Sequence, residues 1–123
     1  MFYLGIVLAG GGGALLRYLL GRATIAMNLT AIPFGTLLAN VIGSFLIGYL
    51  SWALVHRWQF SNEMQVIILT GFLGGFTTFS AFSLDVISLF ESGFNVRAIT
   101  YIVLSVSLSI FMCLLGLYIA RQA

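Results

Sequence analysis

Four hydroxyl side chains, Thr77, Thr78, Ser80 and Ser83, fall within seven positions of one long apolar stretch. Phe79 and Phe82 stand three apart among them, and a Gly74-Gly75 pair lies just ahead, in the run TGFLGGFTTFSAFS at 70–83. Hydroxyls are neutral hydrogen-bond donors. A phenyl ring is negative on its face and positive at its edge, so its edge can meet an anion. A helix opened at glycines frees backbone carbonyls, which are natural cation ligands. Donors, ring edges and loose carbonyls together suit the reception of ions rather than the making of bonds. A bilayer core tolerates idle polar groups and irregular backbone mainly where protein buries them or where they line a pathway. The segment therefore reads as a functional interruption of a membrane span.

Two more polar sets stand at helical spacing. Thr36, Asn40 and Gly43 follow at i, i+4, i+7, and Tyr101, Ser105 and Ser109 at i, i+4, i+8. Each set occupies one helix face. Asn40 has two readings, an interhelical hydrogen bond or a donor facing a pore. A lone membrane serine commonly bonds back to its own helix, whereas three hydroxyls in register can also form a polar track. No acidic side chain lies between Met64 and Leu84, which suits an anion path. Asp85 follows at once, either near a mouth or paired with an arginine. There is no Ser/His/Asp set and no carboxylate pair at depth, so no enzyme is expected. His56, beside Arg57 and Trp58, reads as an interfacial anchor. The one cysteine, Cys113, cannot form an internal disulfide.

The elements that must position these residues follow from composition. Of 123 residues, 61% are hydrophobic and 7% charged, with mean hydropathy +1.13. A soluble domain carries about a quarter charged residues. Apolar runs of about 20 residues are candidate transmembrane helices, and four occur, at 2–20, 34–55, 64–90 and 98–120. The chain is thus expected to be a single all-α, four-span membrane domain. The first span lacks a basic leader region and is expected to be retained. Gly5, Ala9 and Gly13 within it stand at the spacing that lets helices approach closely in lipid. Arg17, near its end, is expected to snorkel or pair structurally, the alternative being an inward ion contact. The third span would extend roughly 40 Å as one straight helix against a core of about 30 Å. Tilt or a break near the midplane, around Gly74–Thr78, would resolve the excess.

All five basic residues are arginines. With four spans, Arg57 and Arg121 fall on one side of the membrane, and Arg17, Arg22 and Arg97 on the other. So even a split barely engages the positive-inside rule and predicts insertion in both orientations. The net charge of +2 is too small and dispersed to suggest nucleic acid.

Taken together, GGGGALLRY (10–18), GTLLANVIGSF (35–45), GFLGGFTTFSAFS (71–83) and the Tyr101/Ser105/Ser109 stripe resemble the fluoride channel (CrcB) family of small bacterial membrane proteins. The resemblance covers the whole chain. It implies an antiparallel, dual-topology homodimer in the bacterial inner membrane, with two fluoride pores and one structural sodium ion (Na+) at the two-fold axis. It further implies a fluoride pore built from Asn40, Phe79 and Phe82, with Thr36 and Ser80 nearby and Tyr101, Ser105 and Ser109 as a polar track. Gly74 and Thr77 match the positions whose backbone carbonyls hold sodium. One departure stands out: the family usually reads TFSTFS where this chain has TFSAFS, so Ala81 leaves one hydroxyl missing. The competing reading is a small four-span, proton-coupled multidrug exporter. Such a protein needs a buried carboxylate, and the first span has neither Asp nor Glu.

Overall fold

The computed structural model describes residues Met1–Ala123 and is all-helical. Four segments are long and apolar enough to cross a membrane: Phe2–Ala26, Phe34–Arg57, Asn62–Glu91 and Asn95–Gln122. The first is α1 and the second α2, whose last turn, Ala53–Arg57, widens to i→i+5 bonding. The third segment comprises α3 (62–76), which widens to i→i+5 bonding over Ile67–Leu73, and α4 (Phe79–Glu91), and the fourth is α5 (Asn95–Gln122). Every backbone donor and acceptor must be met inside the protein when lipid surrounds it, and helices do this within one segment.

Between α3 and α4 the backbone leaves the helical region. Thr77 has φ −87° and ψ 157°, and Thr78 φ −155° and ψ 126°, both extended. Gly74 itself is helical, at φ −62° and ψ −36°. The glycine pair is therefore not where the helix stops, and its use is different. A Cβ on Gly75 would overlap the Gly10 carbonyl oxygen and lie 2.9 Å from Gly10 Cα. Small residues let α1 and α3 touch backbone to backbone, Ala9 against Gly71 and Gly13 against the turn at Phe72–Phe76. Such contact replaces the hydrophobic drive that lipid removes.

The other main seam joins α2 and α5, the most extensive contact in the chain. It uses the same device. Gly48 faces the Cys113 backbone, and Gly116 faces Phe45 and Tyr49. The large exposed side chains on these helices are mostly apolar, among them Leu8 and Leu114. The fully buried large side chains are Tyr101, Leu54 and Leu73.

Candidate functional site

The extended pair Thr77-Thr78 borders a cavity of about 330 Å³ between α2, α3, α4 and α5. α2 contributes Asn40, Gly43 and Ser44, the α3–α4 junction Gly74, Thr77 and Thr78, α4 Phe79 and Phe82, and α5 Ser105 and Ser109. None of the 14 lining residues is charged. Members of all three polar sets read from the sequence line this one space, Asn40 and Gly43, Thr77 and Thr78, and Ser105 and Ser109, whereas Thr36, Ser80, Ser83 and Tyr101 do not. The lining members meet because α2 and α5 lie side by side and the junction crosses them.

Asn40 is held on both sides of its amide. Its Nδ2 donates to the Thr78 carbonyl at 2.9 Å, and its Oδ1 accepts from the Thr78 N–H at 2.8 Å. The second Nδ2 hydrogen is left for the cavity. Thr78 is also the N-cap of α4, its Oγ1 accepting from the Ala81 N–H at 3.1 Å. The Ser80 hydroxyl lies 3.3 Å from that of Thr78, and Ser80 is exposed rather than in the cavity wall. Ala81 therefore meets Thr78 through its backbone, a bond that needs no side chain.

Ring contacts run from the cavity into the core. The centroids of Phe79 and Phe82 are 5.5 Å apart at 48°, and those of Phe82 and Tyr101 5.2 Å apart at 50°. Tilted rings present edges to their neighbours. Tyr101 lies behind Phe82, and its hydroxyl donates to Asp85 Oδ2 at 3.0 Å. Asp85 thus meets a tyrosine, where the sequence offered a mouth or an arginine partner. Thr36 lines a second recess, with Pro33 and Gly35, and is not part of the wall of the first.

Ser105 is buried, and its hydroxyl has no partner within the chain. Thr24, Ser51, Thr77 and Ser83 each bond back to a carbonyl three or four residues earlier. A buried unpaired hydroxyl costs about 1–3 kcal/mol, so Ser105 stands ready to bond whatever enters the cavity it lines.

Arg17 donates its Nε to the Gly75 carbonyl at 3.5 Å. It is a structural partner for the end of α3, where a cation is favoured. The last i→i−4 bond of α3 runs from Thr77 N–H to the Leu73 carbonyl. Thr78 N–H goes to Asn40 instead of to Gly74, which leaves the Gly74 carbonyl without its helical donor. No cluster of three or more His, Cys, Asp or Glu residues is present. A hard cation here would be met by backbone oxygen, and the Gly74 carbonyl, which lacks its helical donor, is one such oxygen beside the cavity. One helix ends and another begins at the same cavity. The end of α3 favours a cation and the start of α4 an anion.

Sequence reasoning missed Thr78 as a partner of Asn40 and Ser44 as a cavity residue. Ser44 lies four residues after Asn40, so the i, i+4 rule could have found it. Thr78 is 38 residues away from Asn40, and nothing local could have.

The profile of the family described as "CrcB-like protein, Camphor Resistance (CrcB)" matches residues 4–117. A Rhizobium meliloti (strain 1021) protein named "Fluoride-specific ion channel FluC" is 50% identical over 119 residues, covering 94% of this chain and 95% of its own length. A protein of the same name from Chelativorans sp. (strain BNC1) is 46% identical over 123 residues, covering 99% and 98%. Another, from Francisella philomiragia subsp. philomiragia, is 42% identical over 115 residues, covering 90% and 88%. Likeness that runs nearly end to end, through all four apolar helices and the junction that faces the cavity, makes this chain a member of the CrcB family.

Proposed function

We propose that this protein is a passive, fluoride-selective channel of the bacterial inner membrane that lets fluoride leave the cytoplasm. The observation that carries the reading is the uncharged cavity that gathers Asn40, Phe79, Phe82, Ser105 and Ser109. Fluoride is small and strongly hydrated. A conducting site must replace its water with donors yet let it go, and fixed positive charge would hold it too long. An amide N–H, hydroxyls and ring edges meet that condition. The names of the relatives point the same way. Fluoride that enters as the neutral acid and ionises inside would exit downhill by this route, which protects the cell.

The assembly in this reading is an antiparallel homodimer with two pores. Thr77-Thr78 is the membrane-interior break of the third span. The carbonyls of Gly74 and Thr77 would hold one sodium ion, whose charge stabilises the ends of the α3 helices. Asn40 and the ring edges bind the anion, Ser105 and Ser109 extend the donor track, and Arg17 stays engaged with Gly75.

Purified protein in liposomes loaded with potassium fluoride, with valinomycin to carry potassium, tests the function. A fluoride electrode is expected to record rapid release, and chloride-loaded vesicles negligible release. No release from folded protein, or equal release of chloride, would overturn it.

A further inference from the structure

The extended backbone at Thr77-Thr78 needs a cause, and the adjacent glycines do not supply one, since Gly74 is helical. Two residues of α2, one turn apart, touch the extended pair. Asn40 bonds both backbone polar groups of Thr78, at 2.9 and 2.8 Å. Its side-chain amide pairs with that residue as a neighbouring strand would, so Thr78 has no need of helical partners. Gly43 provides the space beside it. A Cβ there would overlap Thr77 Cγ2 and lie 3.4 Å from Phe76 Cδ2 and 3.7 Å from Thr77 Cβ. The Thr77 hydroxyl donates to the Leu73 carbonyl at 2.9 Å. That bond fixes the rotamer and keeps the Thr77 methyl in the notch at Gly43.

We propose that Asn40 and Gly43 form a latch on α2 that stops the third span at Phe76 and thereby aims Phe79 and Phe82 into the cavity. In this role both are positioning residues, acting through Thr77 and Thr78, which for Asn40 is separate from the contact with the anion given above, and the claim rests on the reading of that cavity as the ion site. Without the latch, Thr78 N–H has an obvious alternative acceptor, the Gly74 carbonyl one helical turn back. Taking it would continue α3, rotate both rings off the cavity and occupy a carbonyl offered to the cation.

The test uses full-length protein in bilayers with carbon-13 threonine. The Thr78 Cα chemical shift separates extended from helical backbone, and fluoride efflux is followed in parallel. Asn40→Ala and Gly43→Ala are each expected to move the Thr78 shift toward the helical value and lower efflux by about tenfold or more. Adding Thr77→Ser to Gly43→Ala removes the methyl that the new Cβ meets and keeps the hydroxyl. This double variant is expected to regain the extended shift and severalfold more efflux than Gly43→Ala. If Gly43→Ala fails to assemble, recovery of assembly in the double variant is the same result. An unchanged Thr78 shift in both single variants would overturn the latch, as would a double variant no better than Gly43→Ala. The shift does not depend on conduction. A wild type that passes no fluoride but shows the full shift pattern would sink the channel reading and leave the latch standing.

Discussion

Phe79 and Phe82 carry the same ring but are held differently. Phe82 is buried against Tyr101, while Phe79 is 76% exposed in the single chain and pairs its ring with Phe82. Replacing either ring with isoleucine keeps apolar bulk and removes the positive edge. A contact with a ring edge is worth about 0.5–1.5 kcal/mol between two aromatic rings, and an anion contact of that order would change the rate by about tenfold. Phe79→Ile is therefore expected to lower fluoride efflux by about tenfold while the protein still assembles. Phe82→Ile should do the same and also lose stability, through the lost Tyr101 contact. Efflux assays paired with size-exclusion profiles check both, and wild-type efflux in both variants would remove the rings from the mechanism. The donors at this scale are legible in the sequence, because polar groups at depth are costly unless used; the rings are not, since phenylalanine is at ease in lipid. The partners are not legible either. Asn40 meets Thr78, and Tyr101 meets Asp85, across sequence gaps that only folding closes.

The glycines show what an element can and cannot reveal. A Gly-Gly pair in an overlong span suggests the place where the helix would open. Glycine has another use in lipid, close approach of backbones, and Gly75 serves it against Gly10. Sequence cannot separate the two uses, since both ask only for a missing side chain. The opening falls at Thr77-Thr78, β-branched residues at ease in extended backbone. Helix extents are less legible too. α1 continues to Ala26 and α5 begins at Asn95, past the apolar stretches 2–20 and 98–120, because hydrogen bonding continues where hydropathy ends. Gly75→Ala forces its Cβ onto the Gly10 backbone, and overpacking of this kind costs about 1–3 kcal/mol. Gly11→Ala meets nothing within 4 Å in the chain. Thermal unfolding in detergent is expected to show a clear drop for Gly75→Ala and a much smaller change for Gly11→Ala. Equal losses would mean that the α1–α3 seam is not the tight one.

At the scale of the whole molecule, two expectations concern the assembly. If one sodium ion is held by Gly74 and Thr77 carbonyls, rigorous replacement of sodium by a bulky organic cation should weaken assembly and stop efflux. Unchanged assembly and efflux would remove the ion from the reading. The second expectation is orientation. Sequence alone divides the arginines two against three, but Arg17 is engaged with the Gly75 carbonyl inside the bundle. Arg57 and Arg121 then stand against Arg22 and Arg97, an even split. Three of these four also have local partners. Arg57 donates to Tyr49 Oη at 3.3 Å and to the Ala120 carbonyl at 3.4 Å, Arg97 stacks on Phe94, and Arg121 on Trp52. Orientation follows the bias of Lys and Arg between the two sides, and here there is none. The chain is therefore expected to insert both ways in roughly equal amounts, which an antiparallel pair requires. A C-terminal fusion to alkaline phosphatase, active only outside the cytoplasm, and one to green fluorescent protein, fluorescent only inside, should both give signal. Adding two lysines after Ala123 should then drive the C-terminus inward, extinguish the phosphatase signal and abolish efflux from cells that express this form alone. Efflux that persists with every chain in one orientation would rule out the antiparallel pair.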